Sequence, residues 1–205
     1  MDILYWNRLA SGYDKRAERF QKVYDQLIGL IKPELSHGDS LLDIGTGTGA
    51  IPILLSGYLR EVKGIDLSEA MIGIARKKAE TLKLSNVSFE VGNSYHLEIP
   101  DKCYDAVLIS HLLHIVDNPI KVIQEAIRVL KDDGKLMIAT YLHGYSIKTK
   151  LLSRMMKLTG HPVYHRFNEN SLISLMKSMP LKLDEKKVIR NILPVIFIVM
   201  SKNEN

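Results

Sequence analysis

Residues 43–49, Asp43-Ile-Gly-Thr-Gly-Thr-Gly49, set three glycines at alternate positions behind an acid. Without Cβ atoms the backbone there can turn sharply, and a ligand can come close to it. The apolar run Ser40-Leu-Leu-Asp-Ile44 precedes this loop and a helix-like stretch follows it, so the loop joins a buried strand to a helix. The first turn of that helix leaves N–H groups unpaired and aimed at the ligand. A nucleotide-type ligand then calls for an acid at the end of the next strand, to accept hydrogen bonds from ribose hydroxyls. Asp66 stands there, 21 positions beyond Gly45, against an expected spacing of about 20.

Two ligands compete for this loop. Gly45-Thr-Gly47-Thr-Gly49-Ala50 satisfies G-x-G-x-x-A, the dinucleotide fingerprint. Three features weigh against a dinucleotide. About 40 residues, including a helix, precede the motif; Asp43 stands where an apolar strand residue is usual; and no Tyr-x-x-x-Lys or other hydride-transfer group follows the fourth strand. Proton-transfer candidates are histidines near strand ends. His111 and His114 follow Ser110, His143 follows the fifth strand, and His161 and His165 come later. His111 is the first choice and His143 the second. His111 and His114 have no carboxylate–histidine pattern around them, so no metal site is expected.

The elements that hold these residues alternate. Apolar spacing predicts helices over 15–32, 49–58, 69–82, 119–130, 147–159 and 169–178. Ser68 should cap the third of these, and Asp132-Asp133-Gly134 should lie beyond the end of the fourth. Strands are expected over 40–44, 62–66, 87–91, 106–109, 135–141, 181–190 and 194–201. The last two, joined by a turn around Asn191, should form an antiparallel hairpin. This order implies an α/β, Rossmann-like, doubly wound fold. Its seven-stranded sheet would be mostly parallel, with a C-terminal antiparallel hairpin and helices on both faces. Ligands of such folds sit at the carboxyl ends of the central strands.

Composition sets the outer bounds. Of 205 residues, 46% are hydrophobic and 25% charged, which excludes disorder and a disulfide scaffold. The single Cys103 cannot close an internal disulfide or build a cysteine zinc site, and a reducing cytoplasm is the expected location. No signal peptide or membrane span is expected. The net charge of +5 is concentrated. Residues 146–190 hold ten basic and three acidic side chains, while the rest of the chain holds 18 basic and 20 acidic ones. In 147–158, Leu151, Leu152, Met155, Met156 and Leu158 form an apolar stripe beside Lys148, Lys150, Arg154 and Lys157. Three roles fit: a helix packed on the core with a solvated basic face, a lid over an apolar or anionic acceptor, or an anionic-membrane contact.

Five blocks together carry a family resemblance: Leu-Leu-Asp-Ile-Gly-Thr-Gly-Thr-Gly at 41–49, Gly-Ile-Asp-Leu-Ser-Glu-Ala-Met at 64–71, Val-Gly-Asn-Ser at 91–94, Tyr-Asp-Ala-Val-Leu-Ile-Ser at 104–110, and Glu-Ala-Ile-Arg-Val-Leu-Lys-Asp-Asp-Gly-Lys-Leu at 125–136. From about Trp6 to Lys202 the chain resembles a class I S-adenosylmethionine-dependent methyltransferase, near the ubiquinone/menaquinone-biosynthesis type. The resemblance implies one methyltransferase domain over 1–205. Its parts would be an N-terminal helical cover (1–36), a cofactor core (37–141), a helical lid or insertion (142–168), and a closing helix and hairpin (169–205). It implies S-adenosylmethionine as cofactor and S-adenosylhomocysteine as product. Gly45, Thr46, Gly47 and Gly49 would line the methionine portion, with Asp43 near its ammonium and Tyr13 over its carboxylate. Asp66 would hold the ribose, Leu67 and Met71 would pack on the adenine, and Gly92, Asn93 and Ser94 would border the adenine edge. Ser110 would close the site. Many relatives have Asp where Asn93 stands, and an Asn carbonyl can accept the same bond.

The implied reaction is in-line methyl transfer to a small-molecule acceptor, lipid-like or anionic. A cationic leaving group needs no acid, so placement and water exclusion dominate. No nucleic-acid partner is expected, peripheral membrane contact is a minor reading, and the protein would be a monomer or homodimer. The rival functions are a catalytically inactive donor-binding sensor or assembly protein, an NAD-dependent oxidoreductase and, more weakly, an RNA methyltransferase.

Overall fold

The central strands, Ser40–Ile44 and Tyr104–Ser110, are mostly apolar and buried along nearly their whole length, as strands covered on both faces must be. The structure, a computed structural model, describes residues 3–158 and 160–203. Its seven strands are β1 (Ser40–Ile44), β2 (Glu61–Asp66), β3 (Val87–Val91), β4 (Tyr104–Ser110), β5 (Leu130–Tyr141), β6 (Leu181–Ile189) and β7 (Val195–Lys202). They form one sheet in the order β3-β2-β1-β4-β5-β7-β6. The first five in that order run parallel; β7 is antiparallel to both β5 and β6. This is the expected architecture, closing hairpin included. The chain leaves β1 toward β2 and β3, then returns to lay β4 on the other side of β1. The crevice at this reversal faces the carboxyl ends of β1 and β4, where an open α/β sheet holds its ligand.

The helices are α1 (Ile3–Leu9), α2 (Tyr13–Ala17), α3 (Gln21–Ile31), α4 (Ala50–Leu55), α5 (Glu69–Thr81), α6 (Pro119–Val129), α7 (Ile147–Leu158) and α8 (Glu169–Met176). Ser68 caps α5 by accepting from the Met71 N–H. The apolar core lies on both sheet faces. One side gathers Ile44, Val107, Ile109, Leu113 and Ile123; the other gathers Leu27, Leu41, Leu55, Leu108 and Phe197.

Three expectations need correction. The helix expected over 15–32 is broken into α2, a 3-10 turn at Glu18–Phe20 and α3. No side chain of α2 or of that turn is buried, so little packing holds this stretch to one helix axis. The fifth strand, expected over 135–141, starts at Leu130 directly after α6, so Asp132-Asp133-Gly134 lies beyond the helix end as expected but within β5. A Cβ on Gly134 would come within 2.8 Å of the Asp105 carbonyl oxygen and 2.7 Å of Leu130, so a glycine lets the extended strand pass. The third correction concerns α7, whose buried residues are Thr149 and Ser153. Leu151, Met155 and Leu158 face outward, and Leu152 and Met156 are half-buried. Most of its apolar stripe is therefore not packed on the core. The expected end of this helix at 159, and the outermost residues of the 1–36 and 169–205 segments, lie outside the described residues.

Candidate active site

The glycine loop folds back over the end of β2. The Gly45 and Thr46 N–H groups both donate to the Ile65 carbonyl, at 2.8 and 2.9 Å. Glycines 45, 47 and 49 all have positive φ, the left-handed region that glycine enters without a Cβ clash. Their surroundings differ. A Cβ at Gly47 would meet nothing within 4 Å, whereas one at Gly49 would lie 2.4 Å from the Phe89 ring and 3.0 Å from Ala75. Gly47 therefore offers open space to a ligand, and Gly49 lets α4 start against β3 and α5. Gly49, expected to line the ligand, has its Cα hydrogen side facing Phe89 and Ala75 instead of open space. Thr46 is likewise tucked inward, its Oγ1 lying 2.7 Å from where a Gly64 Cβ would be.

Asp66 braces the loop. One carboxylate oxygen accepts from the Gly47 N–H and the other from the Ser68 N–H, each at 2.9 Å. Burial pushes its pKa up even against these bonds. Asp43, at the core end of the loop, is 2% exposed, with Oδ1 unpartnered. Burial raises it to about 7, and the neighbouring Asp66 charge adds to the rise.

Gly45, Gly47, Asp66, Tyr13, Met71, Ser110 and His111 meet around a cleft, joined by Trp6, Leu112 and Ile115. An adjoining recess continues past Leu67, Gly92 and Ser94, and Asn93 lies further along on an open groove with His96. The Asn93 carbonyl oxygen already accepts from the Tyr95 N–H at 3.0 Å. Asp43 sits beneath this cleft, outside its wall.

His111 has a non-glycine residue's uncommon positive φ of 54°, a strain that persists only where surrounding structure holds it. Its N–H donates to the Ala139 carbonyl at 2.7 Å, and its ring stacks on Tyr141 with centroids 4.4 Å apart. Neither ring nitrogen has a partner, and burial lowers the pKa to about 4. The imidazole is neutral at pH 7. His143 is fully buried, also near 4 through burial, and lines no part of the cleft. Between the two lies His114, whose Nδ1 meets Thr140 Oγ1 at 3.1 Å. Of the two chosen histidines, only His111 reaches the cleft.

The N-terminal helices close one side. Asn7 Oδ1 accepts from Ser68 Oγ at 2.6 Å, and Asp14 accepts from Thr48 Oγ1 at 2.5 Å and pairs with Lys78 at 3.0 Å. The Tyr5 hydroxyl meets His161 Nδ1 at 2.9 Å, joining α1 to the segment after α7. The Tyr13 hydroxyl bonds to that of Tyr24, and burial raises both pKa values. Sequence reasoning missed Trp6, Asp14, Tyr24, Leu112 and Ile115. Asp14, next to Tyr13 in a polar, glycine-containing stretch, left the only usable signal. Among the described residues, no group of three or more His, Cys, Asp or Glu side chains could hold a metal ion.

Ser94 Oγ, Ser110 Oγ and both His111 nitrogens, on the walls of the cleft and its recess, are buried without partners, a cost that a polar ligand would relieve. A family model described as a methyltransferase domain matches residues 35–186. The chain belongs to the class I S-adenosylmethionine-dependent methyltransferases. This decides between the two ligands of the glycine loop in favour of the methyl donor. A demethylmenaquinone methyltransferase of Tropheryma whipplei is 30% identical over 146 residues, covering 67% of this chain and 58% of that protein. The uncharacterized methyltransferase YcgJ of Bacillus subtilis is 31% identical over 101 residues, 49% of this chain and 40% of that one. The chain thus spans about half the length of the curated relatives it matches. In fold it is similar to the protein solved with the Trm112 methyltransferase activator of Haloferax volcanii. That match has a TM-score of 0.82 and 18% identity, and covers 97% of this chain and 98% of the other.

Proposed function

We propose that this chain transfers a methyl group from S-adenosylmethionine to a small-molecule acceptor, and that the acceptor is lipid-like. The supporting observation is the set of unpartnered buried polar atoms on Ser94, Ser110 and His111, all near strand carboxyl ends along one cleft and its recess, beside the Gly47–Asp66 pair. In this reading Asp43 faces the donor's ammonium, which would restore its ionised form. Asp66 holds the ribose hydroxyls on the oxygen lone pairs left free by Gly47 and Ser68. Leu67 and Met71 pack on the adenine, Gly92, Asn93 and Ser94 border its edge, and Tyr13 covers the carboxylate. Gly45, Thr46 and Gly49 shape the loop from behind Gly47. Bound there, the donor supplies an electrophilic methyl on a sulfonium that leaves without acid assistance.

The chain's own contribution is placement, dryness and a base. Trp6, Leu112, Ile115 and Met71 give the cleft an apolar wall, which excludes water and suits a ring or isoprenoid-like acceptor. His111, neutral and held at strained φ against Tyr141, can accept the proton of an acceptor hydroxyl, leaving that oxygen or a ring carbon conjugated to it as the nucleophile; its lowered pKa makes it a weak base that acts by position. His143 orders the ring cluster behind it. The compound in the name of the Tropheryma relative, demethylmenaquinone, taken in its reduced hydroquinone form, carries such a hydroxyl on an apolar ring and heads the acceptors to test. Cytoplasmic residence belongs to the same reading.

Calorimetry with S-adenosylhomocysteine and with NADH tests the donor. The expected result is binding of the first alone; tight NADH binding without S-adenosylhomocysteine binding sinks the proposal. Labelled-methyl turnover on demethylmenaquinone analogues and other hydroxylated rings then separates a transferase from a donor-binding protein without activity.

A further inference from the structure

Helix α7 carries apolar side chains on two sides. Its inward side is mixed: Thr149 and Ser153 are buried and Leu152 and Met156 half-buried, Thr149 bonds with Ser146, and Ser153 Oγ accepts from Arg166 Nε at 2.9 Å. Its outward side is apolar, with Ile147 86%, Leu151 58%, Met155 57% and Leu158 88% exposed. At about 100° per residue these four span an arc of roughly 80° on the helix wheel. Lys148 borders one edge of that arc, and Arg154, Lys150 and Lys157 border the other. All four cations are exposed, and none is paired with a carboxylate among the described residues. No acid occurs in the helix.

We propose that α7 docks the protein on an anionic lipid surface, lying in the interface plane with Ile147, Leu151, Met155 and Leu158 inserted and the cationic edges on lipid headgroups. A large apolar stripe between cations, on a helix of low overall hydrophobicity, is the form that such helices take. Lysines and arginines close to an anionic leaflet add attraction that falls off within a Debye length. A second copy of this chain fits the face poorly. A symmetric pairing through the stripe would bring both sets of cationic edges together with no acid of α7 to neutralise them. Beyond the C-terminal end of α7, the Tyr5–His161 bond joins this region to α1, whose Leu4 is also exposed and whose Trp6 lines the cleft. Docking would thus set the α1 side of the cleft near the bilayer. The inference stands on α7 alone and does not require the methyl-transfer reading.

Co-sedimentation of the full chain with vesicles tests it, using phosphatidylcholine alone and phosphatidylcholine mixed with phosphatidylglycerol. Binding to the anionic vesicles and not to the neutral ones is expected, weakening as salt rises. Each cation replaced by Gln should cost about fivefold in affinity, and the four together roughly 100-fold or more. Leu151→Gln with Met155→Gln should abolish insertion, and S-adenosylhomocysteine calorimetry on the same proteins checks that they remain folded. Absence of binding to anionic vesicles overturns the proposal, as does equal binding to neutral vesicles. A concentration-dependent dimer that Leu151→Gln with Met155→Gln dissolves, without vesicle binding, replaces it with self-association.

Discussion

Asp66, Gly47, Gly49 and His111 lie within one loop-lined crevice, yet substitution of each should read out differently. Asp66→Ala removes two donor-binding acceptors and the brace on the Gly47 N–H. It should lower S-adenosylhomocysteine affinity about 100-fold or more in calorimetry, with the fold retained by circular dichroism. The two glycines form a contrasting pair. Gly49→Ala drives a Cβ into the Phe89 ring at positive φ and should cost about 3 kcal/mol in urea unfolding. Gly47→Ala meets open space and should cost about 1 kcal/mol of stability, while donor binding falls sharply because the new methyl enters the cleft. For His111 the informative variant is Asn, which tolerates positive φ better than other side chains. His111→Asn should lower kcat by about 10²-fold or more and leave S-adenosylhomocysteine affinity nearly unchanged. Because burial holds His111 near 4, the wild-type rate should stay flat from pH 8 down through 6 and fall only toward its own pKa. An unchanged kcat in the variant would remove His111 from the chemistry. The Gly-Thr-Gly-Thr-Gly loop and Asp66 were readable because backbone freedom and strand-end acids leave residue-type signatures. The difference between Gly47 and Gly49 was not, since it depends on Phe89, 40 positions away.

At the scale of elements, the N-terminal helices act as a wall held by few bonds. Asn7 on Ser68 ties α1 to the cap of α5, and Asp14 ties α2 to Thr48 and Lys78. Asn7→Ala should weaken S-adenosylhomocysteine binding about tenfold and speed proteolysis near α1, with little change in Tm. Equal protease sensitivity in variant and parent would show that α1 is held otherwise. Helix periodicity predicted α5 and α6 to within one residue at each end, because their apolar faces meet the sheet. It also detected α7 and its stripe. Which way that stripe turns was decided by the polar anchors Ser146, Ser153 and Arg166, and no periodicity records that.

For the whole molecule, buried titratable groups set how stability varies with pH. His111 and His143 are held near 4 by burial, and His114 lies well below its usual value for the same reason. Unfolding frees them to their ordinary pKa of about 6.5. Below that pH the unfolded chain binds more protons than the folded one, so these three contribute stability that is lost as pH falls. Asp43, raised to about 7 by burial, has the opposite sign: between about pH 7 and 4 the folded state holds the extra proton. The net excess of roughly two protons on the unfolded chain predicts a loss on the order of 2 kcal/mol per pH unit between pH 6 and 5. Urea midpoints measured at pH 7, 6 and 5 check this, and a constant midpoint would contradict the buried neutral histidines. Sequence alone determined the strand and helix order, a ligand site at the carboxyl ends of the strands, and the glycine–acid pair, because these follow from local periodicity and from backbone geometry that only certain residues permit. Only the tertiary structure decided that His111 and not His143 meets the cleft, that Trp6 closes it, and that α7 turns its apolar side outward. Each of those outcomes depends on contacts between segments far apart in the chain, where burial and hydrogen-bond partners are set by neighbours and not by residue type.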